Sequence, residues 1–351
     1  MNFIDIFAGI GGFRLGLEQA GHTCIGYVEK DKFAQKSYRA MHGHTGGFWA
    51  EDINNVDAQT IPKADIWTFG FPCQDISIAG DMEGLLKGNR SNLFFVVTGL
   101  LDEMYDGYKP TYLLIENVKN LLSINKGKDF ELVLQELRRI GYKPAWAVLN
   151  SADYGVPQNR ERVFIVAIKE DREVPPFMFP EPKPDYSTRV RDILEDNIPE
   201  KYYLSDRELI YMDRATRDGR THWDFYHHTD ITDKTSKCLT ANMYKGVPYN
   251  VLRVASVDIK GNDISKRVYS DIGLAPTLTT GESGNTIPKI IDGKVARKFT
   301  PRECWRLQGF EDDYFDRARE VNSDTQLYKQ AGNAVCVNVA YAIAKNLKEV
   351  V

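Results

Sequence analysis

Cysteine is scarce in this chain of 351 residues. The five present, Cys24, Cys73, Cys238, Cys304 and Cys336, show neither Cys-x-x-Cys spacing nor His-Cys clustering. That excludes a structural zinc centre and a disulfide framework, implies no metal, and fits a reducing cytoplasm. No apolar run approaches the ~20 residues needed to cross a bilayer, and the N-terminus enters a strand at once without a signal-like region. Charge of one sign is lacking as well. The formal net charge is −4, which carries no global sign of a polyanionic partner. Internal repeats and low-complexity tracts are absent. What is there is ordinary for a globular protein, 42% hydrophobic and 27% charged, and long enough for two domains.

One stretch organises the rest. The apolar run Asp65-Ile66-Trp67-Thr68-Phe69 reads as a buried strand and leads into Gly70-Phe71-Pro72-Cys73-Gln74. Pro72 fixes its own φ and donates no hydrogen, so the strand stops there. A thiol at the carboxyl end of such a strand stands where open α/β sheets place their ligands. The glycine-punctuated stretch from Asp75 to Asn92 then reads as a lid.

In chain order, Phe3 to Phe7 is a strand, Ala8-Gly9-Ile10-Gly11-Gly12 a tight turn, and Phe13 to Ala20 a helix that stops at Gly21. This arrangement offers free backbone N–H groups and a helix dipole to a ligand. A second strand, Thr23 to Val28, ends in Glu29, placed to take a ribose hydroxyl pair. With Asp52-Ile53 after a turn, these features point to an adenosine-type cofactor. Leu93 to Met104 reads as a helix, and Thr111 to Ile115 as a buried strand ending in Glu116-Asn117-Val118. Glu116 would face the same crevice as Cys73. Phe130 to Ile140 is a helix capped by Gly141. Trp146 to Asn150 pairs with a strand at Val163 to Ala167, and Arg160 and Arg162, two apart, point one way toward a single ligand.

Five prolines between 175 and 184 mark a linker. From 185 to 298 the βα alternation gives way to short strands, the pattern of a smaller, mostly β domain. From 231 to 300 it carries 11 basic against 6 acidic residues. Thr300-Pro301 opens a helix as N-cap and first residue. Gln330 to Val335 turns into a C-terminal helix reaching about Leu347.

These residues together resemble the cytosine-C5 DNA methyltransferases, the bacterial S-adenosylmethionine-dependent enzymes usually paired with restriction systems. The resemblance rests on Phe7-Ala8-Gly9-Ile10-Gly11-Gly12, Glu29, Asp52-Ile53, Pro72-Cys73-Gln74, Glu116-Asn117-Val118, Gln158-x-Arg160-x-Arg162, Arg302-Glu303-Cys304-x-Arg306 and Gly332-Asn333-Ala334-Val335, in family order over nearly the whole chain. Trp67 and Ala79 depart from the usual pattern without touching the reaction. The resemblance implies an α/β, Rossmann-like methyltransferase sheet, residues 1–184 plus 320–351, around a target-recognition domain at 185–300, with 301–319 as a hinge.

It also implies the chemistry. Cys73 adds to C6 of a cytosine turned out of the duplex. Glu116 supplies a proton on the N3 side if protonated when it engages the base, and Arg160 and Arg162 stabilise the O2 side and the loop, Arg162 also favouring the Cys73 thiolate. For S-adenosylmethionine the resemblance adds Phe7, Ile10, Glu29, Asp52, Ile53, Pro72, Leu93, Phe310, Asn333 and Val335, with Ala8, Gly9, Gly11, Gly12 and Ala334 completing the pocket. Ser77 matches a phosphate contact, and Gln74 and Asn117 are counted with the DNA-binding residues. Arg253, Lys266, Arg267 and Thr279 are candidates for reading bases in the major groove. The implied partner is double-stranded DNA, met by a monomer, with a cognate restriction endonuclease acting on the same site.

Overall fold

Strands buried on both faces need continuous apolar and β-branched runs, and the N-terminal half supplies them. The computed structural model describes residues 1–43, 47–71, 93–182, 188–204, 253–256, 267–271, 273–278, 287–292 and 295–348. Seven strands form the larger sheet: β1 (Asn2–Ile6), β2 (Thr23–Val28), β3 (Phe48–Ala50), β4 (Ile66–Gly70), β5 (Tyr112–Val118), β6 (Tyr142–Asn150) and β7 (Glu161–Lys169). Their order is β3-β2-β1-β4-β5-β7-β6. The first five are parallel, and β7 runs antiparallel to both β5 and β6. The order reverses at β1, which puts a crevice at the carboxyl ends of β1 and β4.

Eight helices are described: α1 (Gly12–Gln19), α2 (Lys32–His42), α3 (Leu93–Glu103), α4 (Lys128–Arg139), α5 (Pro301–Arg306), α6 (Asp312–Arg319), α7 (Asp324–Asn333) and α8 (Val337–Ala344). Side chains alternate along each strand. Ile4, Trp67, Leu113 and Ile165 pack on one face with α3 and α4. Phe3, Ile66, Leu114 and Phe164 pack on the other with α1 and α8. Among the described residues no helix is long and apolar enough to cross a membrane.

Boundaries read from the sequence moved where packing outweighs local pattern. The strand expected at Trp146 begins at Tyr142, because pairing with β7 continues to Lys169. The C-terminal helix ends at Ala344 rather than near Leu347, and Gln330 to Asn333 belong to α7, not to the turn before it.

A second sheet contains β8 (Arg253–Ser256), β9 (Arg267–Ser270), β10 (Lys289–Asp292) and β11 (Val295–Lys298), in the order β11-β10-β9-β8. Its Tyr269 and Ile290 share a core with Trp305, Phe315 and Leu327, and with Ile10, Leu15 and Met41 of the larger unit. Residues 301–319, expected as a hinge, thus form α5 and α6 with their apolar faces in that core.

A buried ion pair fixes this junction. Arg297 on β11 and Glu303 on α5 are both 0% exposed, with two N–H···O bonds of 2.8 and 2.9 Å between them. The Glu303 carboxylate also accepts from the backbone N–H groups of Thr300 and Glu195. Thr300 and Pro301 cap the helix as the sequence suggests, with Glu303 completing a capping box. A buried pair survives desolvation only with its remaining acceptors satisfied, and removing one partner strands the other. Glu303→Ala should therefore lower the unfolding free energy by about 3–5 kcal/mol, measured by urea titration. A loss below ~1 kcal/mol, the size of an exposed pair, would mean that the buried pair does not hold the junction.

Candidate active site

The site begins where β1 ends. Phe7 and Gly9 both have φ of 56° and Gly11 has 84°, so the chain reverses in left-handed steps. A non-glycine residue held there costs on the order of 1–3 kcal/mol and persists only when its surroundings impose it. Gly11 precedes α1 without a side-chain cap. Beneath it lies Asp5, 1% exposed, whose Oδ1 accepts from Thr68 Oγ1 at 2.7 Å while Oδ2 has no partner among the described residues. Burial pushes the Asp5 carboxyl up to about 7, against the Thr68 hydrogen bond and the Arg14 charge.

The C-terminus closes the turn from above. A methyl group on Gly12 would lie 2.2 Å from the Val335 carbonyl oxygen, so no side chain fits. Between the turn and residues 333–335 opens a cavity of about 350 Å³. Phe7, Ala8, Gly9, Ile10 and Gly12 line one side, Asn333, Ala334 and Val335 another, and Glu29, Gly70, Phe71 and Glu116 the strand ends. Glu29 is held by two backbone donors, Gly9 N–H and Asp31 N–H, each at 2.7 Å. Burial nonetheless raises its pKa. Its carboxylate thus joins the glycine turn to the start of α2, which Asp31 caps.

Five of the residues expected at a cofactor lie outside this lining. Gly11 faces His42, whose imidazole burial drives down to about 3. Asp52 caps a short turn and pairs with Lys30 at 2.7 Å, which lowers its pKa. Ile53 and Leu93 pack in the core beside α3, and Phe310 stacks edge-on against Trp305. The lining instead includes Asp31, Gln326, Lys329 and Gln330. Gln326, Lys329 or Gln330, and Asn333 fall at i, i+3 or i+4, and i+7, one face of a helix, and that spacing was the signal available. Lys329 pairs with Asp31 across the rim at 3.1 Å.

The two arginines two apart are brought to different partners. Arg162 Nε lies 3.1 Å from Glu116 Oε1, with both side chains mostly buried. Gly70 is paired in register with Glu116, and a methyl there would approach Glu116 Oε2 to 3.3 Å. Arg160 is 3% exposed and donates to the carbonyls of Leu278, Gly332 and Ala334. Burial lowers its pKa to about 9. Arg160 precedes β7 and is spent on backbone carbonyls, so the two arginines expected to reach a single ligand have separate partners. Asn117, 3% exposed, donates from Nδ2 to the Phe71 carbonyl at 2.8 Å and accepts from Val118 N–H.

Pro72, Cys73, Gln74, Ser77, Lys266 and Thr279 lie outside the described residues, and Arg253 and Arg267 stand on β8 and β9. Among the described cysteines, burial pushes Cys24 up to about 11 and also raises Cys304 and Cys336. None of the three is poised as a thiolate nucleophile.

The sign of the Asp5 effect is testable. Its folded pKa, about 7 against an ordinary 3.8, means that folding favours the protonated acid. The stability gained is complete below about pH 4 and is lost as pH rises to about 7. Unfolding free energies of the parent and Asp5→Asn, compared from pH 4 to pH 8, should show the parent losing on the order of 4 kcal/mol relative to the variant. A difference that stays flat across this range would contradict the burial account.

Comparison with known proteins identifies the family and the fold. A profile of the family described as C-5 cytosine-specific DNA methylase matches residues 1–349. The Type II methyltransferase M.HhaI of Haemophilus parahaemolyticus is 34% identical over 350 residues, covering 99% of this chain and 94% of that protein. The Type II methyltransferase M.NlaX of Neisseria lactamica is 37% identical over 348 residues, with 98% and 95% covered. The crystal structure of S. pombe Dnmt2 methyltransferase superposes with a TM-score of 0.65 at 19% identity, covering 98% of this chain and 97% of that one, and shows the shared fold.

Proposed function

This chain belongs to the C-5 cytosine-specific DNA methylase family and is a DNA (cytosine-5-)-methyltransferase, and from that premise we propose that it methylates a cytosine turned out of a specific double-stranded site through a covalent bond between Cys73 and C6. The observation that carries this reading is the convergence of the glycine turn, Glu29 and Glu116 on one cavity. The methyl donor is S-adenosylmethionine, whose sulfonium supplies an electrophilic methyl group when bound. The residues present fit it. The Glu29 carboxylate suits a ribose hydroxyl pair, the cavity falls within the range of cofactor sites, and Gly12, having no side chain, lets the Val335 backbone close the cavity wall.

Cytosine C5 is a weak nucleophile because the aromatic ring resists giving up electrons there. A thiolate at C6 relieves that, and cysteine is the side chain with the needed reactivity. Cys73 follows Phe71 by two residues, and Phe71 lines the cavity beside Glu116. Glu116, ion-paired with Arg162 in the free protein, takes up a proton as it engages the base and passes it to the N3 side, with Arg162 facing O2. Loss of the C5 proton to water then expels the Cys73 thiolate from C6 and restores the ring. Arg160 acts at one remove by holding the carbonyls of residues 332 and 334, the wall that carries Asn333. None of these groups can reach C6 inside a stacked duplex, so the base must leave the helix at a cost of a few kcal/mol. Reading of the site falls to residues 231–298, where Arg253, Lys266, Arg267 and Thr279 are the candidates. The protein acts as a monomer in the cytoplasm, beside an endonuclease cutting the same sequence.

The test is a duplex in which the target cytosine carries fluorine at C5. Fluorine cannot depart as a proton, so the Cys73 adduct should persist and shift on a denaturing gel only with S-adenosylmethionine present. Cys73→Ser should abolish the shift, since a hydroxyl is far less ionised. Glu116→Gln should slow methylation of ordinary DNA by roughly 10²–10⁴ with cofactor affinity unchanged. An adduct that survives Cys73→Ser, or maps to Cys304, would overturn the mechanism.

A further inference from the structure

The loop that leaves β5 is more elaborate than a connection from strand to helix requires. Val118, directly opposite Arg162 in the β5–β7 register, is 37% exposed. Two short turns follow, Lys119–Leu122 and Ile124–Gly127. Leu121, 0% exposed, anchors the first in the core. In the second, Asn125, Lys126 and Gly127 have φ of 48°, 60° and 84°. Three consecutive left-handed residues, two of them not glycine, are a rare arrangement. It is braced from below: Asn125 Nδ2 donates to both oxygens of Asp129, at 3.0 and 3.1 Å, and Asp129 is buried in the first turn of α4.

The charge on this braced loop is one-sided. Lys119 is matched, at 2.8 Å, by Glu161 beside Arg162. Lys126 and Lys128 are exposed and form no ion pair with a described residue. The acid nearest on the outer face of α4, Glu131, is taken by Arg138. The loop also stands at the carboxyl edge of the sheet, on the strand that presents Glu116 to the cavity. Any nucleotide whose base reaches Glu116 brings its phosphates past this edge, and a pair of unmatched ammonium groups carried on a braced backbone is complementary to them.

We propose that residues 118–128 form a phosphate-binding rim, with Lys126 and Lys128 gripping the DNA backbone next to the extruded cytosine. This rests on the reading of the protein as a DNA methyltransferase. It adds a contact surface on the larger sheet, apart from Ser77 and the proposed readers in 231–298. Lys119, tied to Glu161, holds the rim against β7, and exposed Val118 lies between rim and cavity as an apolar face for the sugar of the same nucleotide.

Phosphate contacts release counterions whatever the sequence, so a short random-sequence duplex suffices as the probe. The double variant Lys126→Asn with Lys128→Gln removes both charges. Asparagine tolerates the left-handed backbone, so the turn keeps its shape. Fluorescence anisotropy across a salt series should show log K against log salt becoming shallower by about 0.9 for each lysine removed. Affinity at low salt should fall at least tenfold. S-adenosylmethionine affinity and the unfolding midpoint should match the parent, and Lys345→Gln, at the residue that follows helix α8, should leave the slope as it was. Should the double variant unfold early, Lys128→Gln alone still reads out as a slope change of about 0.9. An unchanged slope in a variant that binds DNA as the parent does would overturn the rim while leaving the enzyme's DNA reading intact. A parent that binds cofactor but no duplex would overturn both.

Discussion

The contact on which the molecule depends is the one between Gly12 and the carbonyl of Val335. With 2.2 Å between that oxygen and the place a methyl would occupy, the first turn of the chain and its last segment touch backbone to backbone. Everything that makes a cavity follows. The turn's own N–H groups, expected from the sequence to be free for a ligand, are largely spent inside the protein, Gly9 on Glu29, Ala8 on Val28 and Gly11 on Ala8. Val335 meets the turn after the first strand although more than 300 residues separate them in sequence. Arg160 keeps the contact in place by binding the carbonyls on either side of Asn333, and it reaches Leu278 of the smaller sheet's neighbourhood with the same guanidinium.

Three carboxylates stand around this contact, and their partners differentiate them. Asp5 lies under α1 with one oxygen unsatisfied, which favours its neutral form at a pH where carboxylates are ordinarily charged. Glu29 has two backbone donors and still has lone pairs facing the cavity. Glu116 is set against Arg162 over a glycine. A fixed acid, a hydrogen-bond acceptor and an ion-paired side chain at the mouth of the strands are three uses of one functional group, separated by what surrounds each.

The parts legible in the sequence were those set by local rules. Strands β1, β2 and β5 stood out as short apolar runs, α1 by its turn and its glycine stop, and α5 by Thr300-Pro301. The position of Glu29 just past β2 followed once the strands were placed, whereas β5, expected to stop at Ile115, runs through Glu116 to Val118 because its pairing with β7 continues. What stayed hidden depends on contacts between distant segments. Nothing local shows that Phe7 adopts a left-handed conformation, since a phenylalanine has no preference for it. Arg160 and Arg162 look equivalent by spacing, yet one is drawn to carbonyls of the C-terminal segment and the other to a carboxylate. Residues 301–319 read as a hinge because they lie between two domain-like regions, whereas Trp305 and Phe315 bury them in a shared core. Lys329 and Gln326 are marked in the sequence only by their helical spacing from Asn333, which takes meaning once α7 is placed.

The cavity closed by Gly12 and Val335 is the proposed S-adenosylmethionine site. Titration calorimetry of S-adenosylmethionine into the parent and into Gly12→Ala tests it most directly. A methyl group at Gly12 must displace the Val335 backbone, an overpacking that costs about 1–3 kcal/mol. The account predicts saturable binding by the parent and affinity at least tenfold weaker in a variant that still unfolds cooperatively. Equal affinity in the two proteins would contradict it.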